Sequence, residues 1–128
     1  DPVFGHWLVE SGAAIVEISP CDGSACAHIR WLEEPTTPSG APVTDIRNED
    51  PALRGRPVCG LSMMQGFARD GAGAWTGGEI YSGEDGKTYS ANMRVQDDGT
   101  LRLRGYVGVP LFGATQTWTR VEGDRGGC

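Results

Sequence analysis

Glycine-containing turns divide this chain into short alternating segments, and that limits what it can fold into. Ser11-Gly12, Asp22-Gly23, Asp70-Gly71, Asp85-Gly86 and Asp98-Gly99 stand between stretches in which apolar and polar residues take turns. Alternation at period two is the mark of a half-buried strand, and pairs such as Asp-Gly supply the positive φ that a tight hairpin needs. Ala14, Val16 and Ile18 alternate with Ala13, Ile15 and Glu17. Ala27, Ile29 and Trp31 alternate with His28, Arg30 and Leu32, and Tyr89, Ala91, Met93 and Val95 with Thr88, Ser90, Asn92 and Arg94. Eight strands result, covering about 5–10, 13–18, 27–32, 57–68, 75–81, 87–95, 101–107 and 112–120. The fourth contains Gly60 and Gly66, where a kink or bulge is expected. The sequence offers no long helix.

Eight antiparallel neighbours in chain order predict an all-β, up-and-down barrel, because closure removes the exposed edges that a flat sheet would keep. A two-sheet sandwich is the alternative. A barrel of eight strands has an interior that holds either packed side chains or one small ligand. The domain is expected over 1–123, with 124–128 a flexible tail. One segment, 33–56, breaks the pattern with Pro35, Pro38, Pro42 and Pro51 and few large apolar residues. A loop of that length in a small domain usually has a function of its own. At most a short helical turn is expected there, with Asp50 as N-cap and Pro51 at the first helical position.

The charge balance limits the partners. Eleven basic against seventeen acidic residues give a net charge of −6, and Lys87 is the one lysine. Nucleic acid and anionic membrane surfaces are poor partners for such a chain, since both are held by clustered Lys and Arg. No stretch approaches the ~20 apolar residues of a membrane-spanning helix. Among the four cysteines, Cys21 and Cys26 flank Asp22-Gly23-Ser24-Ala25. If strands pair across that turn, the two thiols come within bridging distance. A Cys21–Cys26 disulfide is therefore expected, and with it an oxidising compartment. Cys59 is then expected to be an unpaired, buried small hydrophobe, and Cys128 the mobile end of a Gly-Gly-Cys tail.

Two resemblances carry the reading further. Gly5-His6-Trp7 on the first strand and Arg120 on the last resemble the lipocalin and calycin arrangement, which implies a tryptophan packed beneath an arginine at the closed end of a barrel. Gly5, Trp7, Trp118 and Arg120 then have architectural roles, and function belongs to the other end. Most of the chain also resembles the bacterial family DUF2147. The matching residues are Cys26-Ala27-His28-Ile29-Arg30-Trp31-Leu32, Asp45-Ile46-Arg47-Asn48, Pro51 to Pro57, Cys59-Gly60-Leu61, Gly78-Glu79-Ile80-Tyr81, Glu84 to Tyr89, Leu101 to Gly105, Leu111-Phe112-Gly113 and Gln116 to Arg120. Ser82-Gly83 stands where Asp-Pro is common, which alters a hairpin loop only. The resemblance implies export and a lipocalin-like barrel, hence a periplasmic or secreted location. It supplies no catalytic residue.

Chemistry is weakly marked. His6 and His28 lack the spacing of a metal or catalytic pair, and joining them to an acid would require adjacent strands. No Gly-x-Ser-x-Gly elbow is present, and spacing marks no base for Cys59. Asp97-Asp98 and Glu84-Asp85 are explained by turn chemistry. No catalytic residue, metal or cofactor is assigned. Asp45, Asn48 and Arg54 form the most specific polar group, either a recognition segment or a structural loop in which Arg54 pairs with an acid. Trp31, Met63, Phe67, Trp75, Tyr81, Tyr89 and Met93 are either the core of a filled barrel or the lining of an apolar pocket. The leading expectation is a non-catalytic barrel, monomeric or weakly dimeric, that binds a small hydrophobic ligand such as a fatty acid or lipid-like molecule. A filled barrel that contacts an envelope protein is the second reading, and an unrecognised hydrolase the third.

Overall fold

In the computed structural model, which describes residues 1–111 and 113–128, one antiparallel sheet closes on itself. Its strands are β1 (Gly5–Leu8), β2 (Ala14–Cys21), β3 (Ser24–Leu32), β4 (Ser62–Gln65), β5 (Ala68–Arg69), β6 (Ala74–Ser82), β7 (Lys87–Val95), β8 (Leu101–Tyr106) and β9 (Gly113–Val121). Neighbours in sequence are neighbours in the sheet from β1 to β4 and from β6 to β9. Pairing of β1 with β9 and of β4 with β6 completes the ring. β4 and β5 both pair with β6 and share one place in the wall, so the barrel is eight-stranded, as expected. The break between them falls at Gly66, whose φ of 78° is open to glycine at little cost. Phe112, the expected start of the closing strand, lies outside the described residues.

The connection from β3 to β4 runs over 33–61, longer than the expected 33–56 because the fourth strand starts only at Ser62, and it carries a single 3₁₀ turn, Pro51–Leu53. Asp50 caps it as the sequence predicts, its Oδ1 accepting from the Ala52 amide at 3.0 Å. The β2–β3 turn is tighter than expected. Asp22 and Gly23, with φ of 49° and 79°, form the whole loop, and Cys21 lies opposite Ser24. Cys21 and Cys26 are diagonal neighbours, with Cα atoms 5.9 Å apart, and are bonded.

The other two cysteines correct the sequence reading. Cys59 is neither free nor a candidate nucleophile, and Cys128 is not a loose end: the two are joined across 69 residues. The segment after β9 leaves the closed end and passes outside the barrel. There Arg125 stacks over the Trp31 ring at 4.9 Å. Distant cysteines of this kind have no local sequence signal, because only the fold brings them together.

Three register irregularities decide which side chains face inward; one sets Met63 apart between the pairs Ala27–Met64 and His28–Ser62 of β3 and β4. Ile15 lies opposite Trp31 but Val16 lies opposite Ile29, so Arg30 is an extra residue in β3. One inserted residue exchanges the faces beyond it. Trp31 is thereby turned to the outer surface and Leu32 to the interior. Another irregularity separates Trp75 from Gly78 in β6.

The lower half of the barrel is filled. Trp7, Ile18, Ala27, Met64, Phe67, Trp75, Ala91, Met93 and Leu101 are buried there in one cluster. Residues 1–4 plug the end: Trp7 Nε1 donates to Val3 O at 2.8 Å, and Phe4 packs on Trp75. Arg120 covers the Trp7 ring at 4.1 Å and donates through Nη1 to Phe4 O and through Nη2 to Pro2 O. A Cβ on Gly5 would lie 2.7 Å from Arg120 Nη1, and φ is 126° there, so the glycine makes room for the guanidinium. The resemblance at Gly5, Trp7 and Arg120 thus corresponds to an actual contact.

Arg120→Ala is expected to lower the unfolding free energy by about 1–3 kcal/mol, from loss of the cation–π contact and two hydrogen bonds; the urea midpoint reads it. Loop-closure entropy makes the Cys59–Cys128 bond worth more than Cys21–Cys26, by roughly 2 kcal/mol. Serine pairs at each bridge, compared by urea unfolding, check that order. Thiol counting should find no free thiol before reduction and four after.

Candidate functional site

Above the filled half, the barrel opens into a cavity of about 1150 Å³. The hairpin after β1, the 33–61 connection, the β6–β7 hairpin and the β8–β9 loop all lie at this end, opposite Arg120. Val16, Ile29, Leu61, Leu103 and Trp118 make the apolar floor and lower wall. Leu32, Val43, Val58, Met63, Ile80 and Tyr89 continue the wall upward. Bulky residues close the bottom, while Ala14, Gly105 and Ala114 leave space above. Gln116 lies on the same inward face as Trp118 and accepts from the indole Nε1 at 2.9 Å, yet it is exposed. Solvent therefore reaches the interior down to the level of that amide.

Charge collects at the mouth. Glu10, Glu34, Glu84 and Arg47 border the opening. Glu10 accepts from the Thr117 amide at 2.6 Å, and Arg47 Nη1 donates to Glu84 O at 2.7 Å. Tyr89 donates to Asp85 at the same rim. That bond holds the Asp85 carboxyl below its ordinary value and, with burial adding to it, raises the Tyr89 phenol.

The long loop is latched to the barrel by a buried carboxylate. Asp45 is 2% exposed. Its oxygens accept from Tyr81 Oη at 2.6 Å, Asn48 Nδ2 at 2.9 Å and Arg56 Nε at 2.8 Å. Arg56 also lies over the Tyr81 ring at 5.3 Å. Burial pushes the Asp45 carboxyl up, but the bonds from Tyr81, Asn48 and Arg56 outweigh it, and the net shift is downward. Tyr81 is raised, first by burial and then by its bond to Asp45. Gly86 completes the latch. A Cβ there would lie 1.8 Å from Arg47 O, so the β6–β7 hairpin accepts the loop backbone only with glycine at this place.

The predicted site residues thus separate. Met63, Tyr81 and Tyr89 border the cavity. Phe67, Trp75 and Met93 are in the lower core, with Phe67 packed flat on Gly78. Trp31 is outside, under Arg125. Asp45 and Asn48 bond to each other, whereas Arg54 meets no acid in this group: its Nε donates to Asn48 O at 2.8 Å. The acid's partner is Arg56, which the sequence reading passed over. Strand alternation could have found Ile29, Leu103 and Gln116; nothing local distinguishes Arg56 from Arg54. His6 and His28 do flank Glu17 on adjacent strands, but Glu17 is taken by Arg30 at 3.1 Å. Among the described residues, no group of three His, Cys, Asp or Glu could hold a metal ion. No helix among them is long and apolar enough to cross a membrane.

A closed antiparallel barrel, plugged at one end and hollow at the other, is a lipocalin-like cup. The chain belongs to the family DUF2147, described as uncharacterized protein conserved in bacteria, whose model matches residues 5–120. Among solved structures it is similar to protein HP1028 from the human pathogen Helicobacter pylori, which is described as belonging to the lipocalin family. The two share 23% identity and a TM-score of 0.80, over 94% of this chain and 83% of that one. No curated protein matches.

The depressed Asp45 pKa sets a sign for pH dependence. A carboxyl lowered in the folded state adds stability above its unfolded pKa, near 3.8, and loses it as pH falls through the folded value. Asp45→Asn should cost about 1–3 kcal/mol at pH 7 and less at pH 3, measured by urea unfolding at both. Gly86→Ala should loosen the latch, read as faster hydrogen exchange at the Asn48 amide.

Proposed function

We propose that this protein is an exported, non-catalytic carrier that holds a small hydrophobic molecule in the open half of its barrel. The observation that carries the reading is the cavity itself: about 1150 Å³, with an apolar floor formed by the upper side of the filled core. Pockets for small molecules are apolar clefts of this kind, of about 300–1,000 Å³, and this one is slightly larger. Burial of an alkyl chain against the half-exposed wall residues Leu32, Val43, Val58, Met63 and Ile80 supplies the driving force, at roughly 25 cal/mol per Å² of apolar surface. The latched loop shapes one side of the mouth through Val43 and Arg47. Two disulfides support an oxidising, extracytoplasmic location, since such bonds persist poorly in a reducing cytosol. The non-catalytic assignment is supported by the cysteines being bonded and by both histidines lying on the outer wall, away from the cavity.

A second reading, contact with another envelope protein, is favoured by Val107, Val109 and Leu111, which are exposed in the loop between β8 and β9. The two readings part on one measurement. Titration with Nile red, an uncharged apolar dye, should give saturable 1:1 uptake and quench Trp118 at the cavity floor. Leu103→Trp, which fills the floor, should weaken uptake at least tenfold, with a cooperative thermal unfolding transition confirming that the barrel is folded. Absence of uptake by the folded wild-type protein overturns the carrier reading in favour of the interaction module.

A further inference from the structure

We infer that the cavity selects the charge of its ligand, taking neutral or cationic amphiphiles and excluding carboxylates. This rests on the reading of the cavity as a ligand site, and the acids serve here only to set the sign of the head group it accepts. Three carboxylates, Glu10, Glu34 and Glu84, border the opening, and among the described lining residues the one cationic side chain is Arg47. That guanidinium is already turned to the Glu84 carbonyl. The other cations near this end are engaged elsewhere: Arg54 and Arg56 are held within the loop by Asn48 O and Asp45, and Arg104 donates to Pro110 O and Thr115. The Tyr89 hydroxyl donates to Asp85, so the donors left in the lining are neutral ones such as Gln116 and Tyr106. Asp85 adds a further carboxylate behind Tyr89. The whole chain points the same way, with a net charge of −6.

The apolar floor fixes the orientation. An alkyl chain enters toward Leu103 and Trp118, which leaves its head group at the mouth, among the acids. A carboxylate head there meets like charge in a partly enclosed opening, where low-dielectric walls keep the field from being fully screened. A quaternary ammonium meets opposite charge, and a sugar or glycerol head finds carboxylate acceptors without repulsion.

The test compares three amphiphiles with the same twelve-carbon chain: dodecyltrimethylammonium, dodecyl maltoside and dodecanoate. Each is kept below its micelle concentration and used to displace Nile red at pH 7.5. In 20 mM salt the cation should bind about tenfold or more tightly than dodecanoate, with the maltoside between, and the gap should narrow severalfold in 0.5 M salt. The triple change Glu10→Gln, Glu34→Gln and Glu84→Gln should bring dodecanoate close to the maltoside. The pair Glu34→Gln and Glu84→Gln, which spares the Thr117 contact, should go part of the way, and thermal unfolding checks the fold of both. Dodecanoate binding as tightly as the cation at low salt overturns the inference and leaves the cavity reading standing. So does failure of all three to displace bound Nile red. If Nile red itself does not bind, the cavity reading is what fails.

Discussion

Closure of the sheet is the constraint on which the rest of this molecule depends. Two seams complete it, β1 with β9 and β4 with β6, and they satisfy backbone groups that would otherwise lie along open edges. The β1–β9 seam is reinforced on side chains. Arg120 lies over Trp7, and its guanidinium reaches back to the carbonyls of Pro2 and Phe4, so the last strand also holds the N-terminal plug. Gly5 is part of the same contact because any Cβ would occupy the guanidinium's place. With that end blocked, the interior opens at the other.

The two halves of the barrel differ by side-chain volume. Toward the plug, Trp7, Met64, Phe67, Trp75 and Met93 fill the space inside the strands. Toward the mouth, inward positions carry Ala14, Gly105, Ala114 and Gln116 on the same strands or their neighbours, and the space stays open. The long 33–56 segment is fixed at this rim by Asp45, a buried carboxylate satisfied on both oxygens. Without Tyr81, Asn48 and Arg56, burying that charge would be strongly unfavourable. The latch therefore joins loop, β4 approach and β6 into one unit, and it ties the shape of the mouth to a polar network outside the lumen.

Much of this was legible in the chain. Period-two alternation and Asp-Gly turns are local properties, and they yielded the barrel, its hairpins, the Asp50 cap and the Cys21–Cys26 bridge. The candidate site was legible only in outline. Met63, Tyr81 and Tyr89 do border the cavity, but Trp31, Phe67, Trp75 and Met93 came with them because aromatic and sulfur side chains look alike as core or as lining. Tyr81 serves the loop as much as the lumen, through its bond to Asp45.

What the sequence determined by itself was the set of strands, their order and the turns between them, because each depends on residues close together in the chain. Only the tertiary structure decided which side chains face inward, since one extra residue at Arg30 turns Trp31 out and Leu32 in. It alone paired Cys59 with Cys128 and chose Arg56 over Arg54 for Asp45. It also decided that the barrel is hollow at one end. Those outcomes depend on distances between residues far apart in the chain, and such distances are set only when the sheet closes.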